Sequence, residues 1–252
     1  MNVVVDGLMT DYQKIGSGKV IVCLPGWGNS LTSFANLAQH LQGDYTILTL
    51  DLPGFGSTEA PPTAWGLENH VDFVAEWLKK IGVKKIHSLV GHSYGGAVAI
   101  TGLSSGIIKS EKLVLIASAG IRSENAKRLA LLKAVTKIGK QPLKLMPKNW
   151  QTRARQKFYG AIGSDLTLLP HMEATFRKMI NQDVQSAAAS IKVPTLLIYG
   201  SADQVTPLRF GRLLNQAING SKLEIISGAG HFVHQEQAEK VAGLIKAFLE
   251  AK

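Results

Sequence analysis

The sequence predicts an α/β fold on a mostly parallel sheet, and three observations carry that expectation. Short runs of β-branched and aliphatic residues alternate along the chain with stretches at helical spacing. Those runs are continuously apolar, as in strands covered on both faces. The length of 252 residues, 45% of them hydrophobic and 18% charged, suits one sizeable core.

Val3 to Val5 and Val20 to Leu24 read as the first strands, the second leading into Pro25-Gly26-Trp27-Gly28-Asn29. Thr46 to Leu50 is the next, ending at Asp51-Leu52-Pro53-Gly54. Ile86 to Val90 runs straight into Gly91-His92-Ser93-Tyr94-Gly95, and Leu113 to Ile116, Thr195 to Tyr199 and Leu223 to Ile226 follow. Between them, Ser33 to Leu41 lines up Phe34, Leu37, Ala38 and Leu41 on one helical face. Asn69 to Ile81 does the same with Val71, Val74, Leu78 and Ile81 and stops at Gly82. Gly95 to Ser104, Pro207 to Ile218 and Gln235 to Leu249 also fit helices.

One region interrupts the alternation. From 121 to 190 no strand is legible, and amphipathic stretches such as Leu129 to Val135 are broken at Pro142 and Pro147. The expected organisation is a core of residues 1–120 and 191–252 carrying a helical insertion, 121–190. Thirteen Lys and Arg stand against four acids in the insertion, which holds +9 of the formal net charge of +10. Such asymmetry marks either a contact surface for something anionic or a solvated basic face. The candidates for an anionic contact are an acidic carrier protein and an anionic membrane surface.

Other classes are disfavoured. The single cysteine, Cys23, lies in an apolar run and reads as a core thiol. No stretch nears the ~18 apolar residues of a membrane span, and no basic segment followed by an apolar one opens the chain, so a cytoplasmic protein is expected. No His, Cys and Asp cluster has ligand spacing, so neither a metal nor another cofactor is expected. The basic residues accompany no nucleic-acid motif.

The chemistry centres on Ser93. Gly91-His92-Ser93-Tyr94-Gly95 has the pattern G-x-S-x-G, weak alone, but a strand leads into it and a helix leads out. A tight strand-to-helix turn exposes the serine hydroxyl, and the flanking glycines let the two backbones approach. A serine needs a base, and the base needs an orienting acid. Asp203, in Gly200-Ser201-Ala202-Asp203, and His231, in Gly228-Ala229-Gly230-His231, both follow strands, in the chain order Ser, acid, His. For the oxyanion, two N–H donors about 3 Å from the developing charge are required. Tyr94, next after the serine, and Trp27, in the glycine-rich loop, are the candidates. His234 is a lesser alternative for the base. His92 should point elsewhere, and His40, His70, His87 and His171 lack strand-end context. Asp51 reads as a loop stabiliser.

These segments, with Leu24-Pro25-Gly26-Trp27-Gly28, Asp51-Leu52-Pro53-Gly54-Phe55-Gly56-Ser57 and Gly230-His231-Phe232, resemble the α/β-hydrolase superfamily over nearly the whole chain outside the insertion. They look most like its bacterial carboxylesterase branch, which includes methyl esterases of carrier-protein-bound acyl chains. The family usually has His-Gly where this chain has Pro25-Gly26, which bears on the oxyanion loop and on substrate preference. The resemblance implies that the insertion is a cap over the active site, with Leu129, Leu131, Leu132, Val135, Leu143, Leu145, Met146, Trp150, Phe158 and Tyr159 available to line an acyl or alcohol pocket. Relatives that open epoxides or remove halogen use Asp at the nucleophile position, and this chain has Ser93.

The leading expectation is therefore a carboxylic ester hydrolase using Ser93, His231 and Asp203 on a small-molecule ester. The alternatives are a carrier-protein esterase, thioesterase or lipase docking through the basic insertion, a carbon–carbon bond hydrolase, and a ligand sensor on the same fold.

Overall fold

The computed structural model describes residues 1–121 and 170–251. Among them, strands β1 (Asn2–Val5), β2 (Leu8–Ile15), β3 (Lys19–Leu24), β4 (Tyr45–Leu50), β5 (Ser88–His92), β6 (Lys112–Ile116), β7 (Thr195–Gly200) and β8 (Lys222–Ile226) form one sheet. Their order is β1-β2-β4-β3-β5-β6-β7-β8. β1 pairs with β2 and β2 with β4 in antiparallel fashion, and every other neighbouring pair is parallel. The described helices are α1 (Ala35–Leu41), α2 (Leu67–Lys80), α3 (Tyr94–Ser104), α4 (Glu173–Met179), α5 (Gln185–Ala188), α6 (Leu208–Ala217), α7 (Val233–Glu236) and α8 (Ala238–Glu250).

The period of two along each strand divides the apolar residues between two cores. Val22, Leu24, Leu89, Leu113, Leu115, Leu197 and Tyr199 face one side, with apolar residues of α2, α3 and α6. Ile21, Cys23, Val90, Val114, Ile116, Leu196 and Ile198 face the other, with those of α1 and α8. β4, β5 and β7 are buried along their whole length, and their sequences are mostly apolar, with Thr46, Thr49, Ser88, His92 and Thr195 as buried polar residues. Cys23 is a free buried thiol, and burial pushes its pKa up to about 12.

Three local readings are corrected. β2 was not expected. It pairs antiparallel towards the sheet edge, with Leu8 and Thr10 buried among partly exposed residues, so it lacks the continuous apolar run of a central strand. The strand before the serine is Ser88–His92 rather than Ile86 to Val90, because parallel pairing continues to Gly91 against Leu24 and to His92 against Ile116. The last helix is split into α7 and α8, with Gln237 between them in a non-helical conformation.

Residues 170–190, the described end of the segment expected to be an insertion, are largely helical and make hydrogen bonds to residues 64–67. Trp65 N–H donates to Thr175 Oγ1 (3.1 Å), Leu67 N–H to Gln182 Oε1 (3.0 Å) and Lys178 Nζ to the Ala64 carbonyl (2.7 Å). Val184 and Ala188 join the core with α3. The residues expected to line a pocket, Leu129 to Tyr159, lie outside the described residues. No helix among the described residues is long and apolar enough to cross a membrane.

Candidate active site

β5 delivers Ser93 to the carboxyl edge of the sheet, and α3 leaves from the next residue. Ser93 has φ 49° and ψ −114°, a left-handed conformation that costs a non-glycine residue on the order of 1–3 kcal/mol. The turn is held from both sides. Ser93 N–H donates to the Ile116 carbonyl (3.0 Å), and its own carbonyl accepts from Ala119 N–H (2.9 Å) and Gly96 N–H (3.0 Å). Two glycines make room for it. A β-carbon on Gly91 would sit 2.6 Å from Gly95 O and Gly96 Cα, and one on Gly95 would run into the Leu24 carbonyl. Strand, turn and helix are thus packed backbone on backbone around the serine.

Asp203 lies in the loop after β7, and His231 in the loop after β8. The structure brings them together: His231 Nδ1–H donates to Asp203 Oδ2 at 2.9 Å. The Asp203 side chain has no exposed surface. Its other oxygen accepts from the N–H groups of Val205 (2.8 Å) and Thr206 (2.9 Å). Burial pushes the Asp203 carboxyl up, but the His231 hydrogen bond and charge and the Thr206 bonds outweigh it, holding the group below the usual carboxylate range. The acid is ionised at neutral pH, and because a carboxylate can only accept, His231 carries its proton on Nδ1. His231 Nε2 is thereby left as the basic nitrogen.

The loop after β3 closes on the serine. A β-carbon on Gly26 would lie 3.2 Å from Ser93 Cβ and 2.9 Å from His92 Nδ1, so a residue with a side chain would push the loop away. The Trp27 side chain stacks edge-on against Phe55 (4.8 Å), Phe176 of α4 (5.1 Å) and Tyr94 (5.8 Å between ring centroids). Tyr94 opens α3, so its N–H has no acceptor within the helix. Asn29 N–H closes the turn onto the Gly26 carbonyl (3.2 Å). Pro25, which stands where the resemblance leads one to expect His, needs no N–H for this arrangement.

Of the remaining histidines, His92 has a partner that the sequence does not reveal. Its ring is fully buried and turns towards the His231 loop, with Nε2 3.0 Å from the His231 carbonyl. It packs, with the rings tilted, against His234 (4.4 Å) and His231 (4.9 Å between centroids). Burial, with the neighbouring histidines, lowers its pKa well below 6.5, and burial likewise holds His234 at about 3, so both are neutral. His234 sits in α7 against Phe34 (4.9 Å), away from Asp203's hydrogen bonds. His70 is buried, 2.9 Å from both the Gly66 carbonyl and Tyr94 Oη, and burial lowers it to about 4. His87 pairs with Glu111 (2.6 Å), and His40 and His171 are exposed. Asp51 stabilises loops, accepting from Leu31 N–H (2.5 Å) and Ser57 N–H (2.7 Å).

Thr206 was missed at the level of sequence. Its hydroxyl lies 2.8 Å from Asp203 Oδ2, 3.1 Å from His231 Nδ1 and 2.9 Å from the Ala117 carbonyl. The signal was present: an Asp followed three residues later by Thr, just ahead of a helix, is a pattern for side-chain to backbone closure.

Known proteins share this arrangement of chain. It is 25% identical to the 2-hydroxy-6-oxo-2,4-heptadienoate hydrolase of Pseudomonas putida, over 99% of this chain and 96% of that protein. It is 26% identical to the AB hydrolase superfamily protein YisY of Bacillus subtilis, over 94% and 93%. Among solved structures, the enol-lactonase of Burkholderia xenovorans superposes with a TM-score of 0.77 at 20% identity, covering both chains fully. A thermophilic esterase of Thermogutta terrifontis gives 0.76 at 20%, covering 99% and 98%. The model of the alpha/beta hydrolase family matches residues 21–244, a span that runs from β3 into α8 and contains Ser93, Asp203 and His231. The chain belongs to the alpha/beta hydrolase family.

Proposed function

We propose that this protein is a serine hydrolase of carboxylic esters, with Ser93 as nucleophile, His231 as general base and acid, and Asp203 as its orienting carboxylate. The observation that carries the reading is the Asp203–His231 hydrogen bond of 2.9 Å, at the same sheet edge as a serine held in a strained turn. In the first step Ser93 Oγ attacks the ester carbonyl carbon while His231 Nε2 takes the hydroxyl proton. The carbonyl oxygen becomes an anion, held by the Trp27 and Tyr94 N–H groups at the amino end of α3. Collapse expels the alcohol, which receives the proton from His231, and leaves the acyl group on Ser93. Water, deprotonated by His231, then attacks the acyl carbon, and the carboxylic acid departs as Ser93 regains its proton. The test is hydrolysis of a short p-nitrophenyl ester, with Ser93→Ala expected to lose on the order of 10³-fold or more in turnover. Retention of most of the activity would sink the reading.

A second reading keeps the same residues and changes the bond. Relatives such as the Pseudomonas putida enzyme are named for cleaving 2-hydroxy-6-oxo-dienoates, whose scissile bond is carbon–carbon. Turnover of a vinylogous 1,5-diketone, set against an ester of similar size, separates the two. For either reaction the basic segment 121–190 is proposed to choose the substrate by docking an acidic carrier protein or an anionic surface. The measure is salt: turnover of a carrier-bound acyl ester should fall steeply with ionic strength while that of a free ester holds.

A further inference from the structure

We propose that Thr206 is a positioning residue whose side-chain hydroxyl sets the basicity of His231 through Asp203. This rests on the reading of Asp203 and His231 as acid and base of the proposed hydrolase. Thr206 is 3% exposed, so its hydroxyl acts on the groups packed around it. Three polar atoms do: Asp203 Oδ2 at 2.8 Å, the Ala117 carbonyl at 2.9 Å and His231 Nδ1 at 3.1 Å.

A hydroxyl has one proton and two lone pairs. Of its two acceptors, the carboxylate is the nearer and the charged one, and a bond to an ionised acceptor is the stronger. The Thr206 O–H therefore donates chiefly to Oδ2, the same oxygen that receives the His231 Nδ1–H. That oxygen's charge is shared between two donors, and each weakens its pull on the other. His231 Nδ1 is closer to Oδ2, at 2.9 Å, than to the Thr206 oxygen, so the hydroxyl's main effect on the imidazole is this withdrawal of charge.

The neighbouring groups leave room for such control. Among the described residues, His92 and His234 interact with His231, and both are neutral. Tyr199 is also close, and its buried phenol donates to the Ser118 carbonyl (2.9 Å). Glu236 is engaged with Gly230 N–H (2.7 Å). The Ala117 carbonyl sits in a turn of positive φ, 45°, whose N–H is fixed to the Ile198 carbonyl (2.9 Å). The far end of the hydroxyl's contacts is thus held by the sheet itself, and the threonine links β6, the acid loop and the histidine.

The experiment titrates His231 in the full chain labelled with ¹⁵N-histidine, its resonance assigned by loss in His231→Gln. Thr206→Val keeps the branched shape and both backbone bonds to Asp203 while deleting the hydroxyl. It should raise the His231 midpoint by about 0.5 to 1 pH unit, because Asp203 recovers its full charge against the imidazolium. Thr206→Ser should restore the wild-type midpoint. In steady-state hydrolysis the acid limb of kcat should move up with it, and kcat should fall about tenfold with KM within about twofold, the pattern of a lost transition-state interaction. Should Thr206→Val fail to fold by near-ultraviolet dichroism, Thr206→Ala serves for the same titration. An unchanged midpoint in a folded hydroxyl-free variant overturns the proposal, whatever happens to activity. A moved midpoint in a protein that cleaves no ester or diketone upholds the coupling and rejects the hydrolase reading instead.

Discussion

His92 Nε2 and the main-chain carbonyl of His231 lie 3.0 Å apart, joined across 139 residues of sequence. A carbonyl only accepts, so the His92 proton is on Nε2 and its bond fixes the backbone that carries the proposed base. The residue immediately before the serine thereby sets the position of the histidine. Ser93 and His231 are tied into one unit even though they come from different strand ends.

Replacing His92 with Phe keeps a ring of similar size and removes the donor. We expect kcat to fall about tenfold, KM to change little, and stability to drop by about 1–3 kcal/mol from the unpaired carbonyl. Esterase kinetics and urea melts measure the two effects separately.

Ser93→Gly removes the nucleophile and, with it, the side chain that makes φ 49° costly. Turnover should vanish while the melting temperature rises, since the relieved strain of about 1–3 kcal/mol exceeds the added unfolded-chain entropy of about 0.5–1 kcal/mol. A fall in melting temperature would contradict the view that the turn stores strain.

At Gly95 the outcome is reversed. The added methyl in Gly95→Ala meets the Leu24 backbone, which cannot rotate away as a side chain would. Several kcal/mol of stability should go, on the order of an overpacked core site, and the displaced loop should also weaken the oxyanion contacts. Calorimetry alongside fluorophosphonate labelling of Ser93 reads both.

Acid should unfold the protein through its buried histidines. His70 is lowered to about 4 and His234 to about 3 by burial, and His92 is also lowered, so each binds a proton in the unfolded chain before it does in the native one. Stability is fully present above pH ~6.5 and falls as pH drops through the window from 6.5 towards 4. The loss should be about 1–3 kcal/mol for each of His70 and His234 by pH 4.5. Asp203, lowered in the native state, adds its loss only further down, as pH falls through the native value. Urea midpoints at pH 7.5, 6, 5 and 4.5 trace the decline, and His70→Phe should flatten it.

Much of the molecule was legible because burial and periodicity are local. A strand covered on both faces is mostly apolar, so β4 and β7 are visible as runs of aliphatic and β-branched residues. β2 was not, because a strand near the edge is free to alternate, and its pairing with β4 is decided by residues far along the chain. The site divides in the same way. Ser93, Asp203 and His231 follow from loops at strand ends in a fixed order, and a turn between a strand and a helix imposes glycines that can be read directly. Thr206 and His92 could not be assigned by that means. A hydroxyl or an imidazole takes its role from the groups it meets, and those groups come from Ala117 and His231, just beyond the ends of other strands.

The sequence by itself determined the alternation of strands and helices, the elbow at Ser93 and the identity of the acid and base candidates. Each depends on neighbours within a few residues. Only the tertiary structure decided that His92 holds His231 and that Thr206 shares Asp203 with it. Hydrogen bonds of that kind are made through space, and the sheet order that closes them is a property of the whole chain.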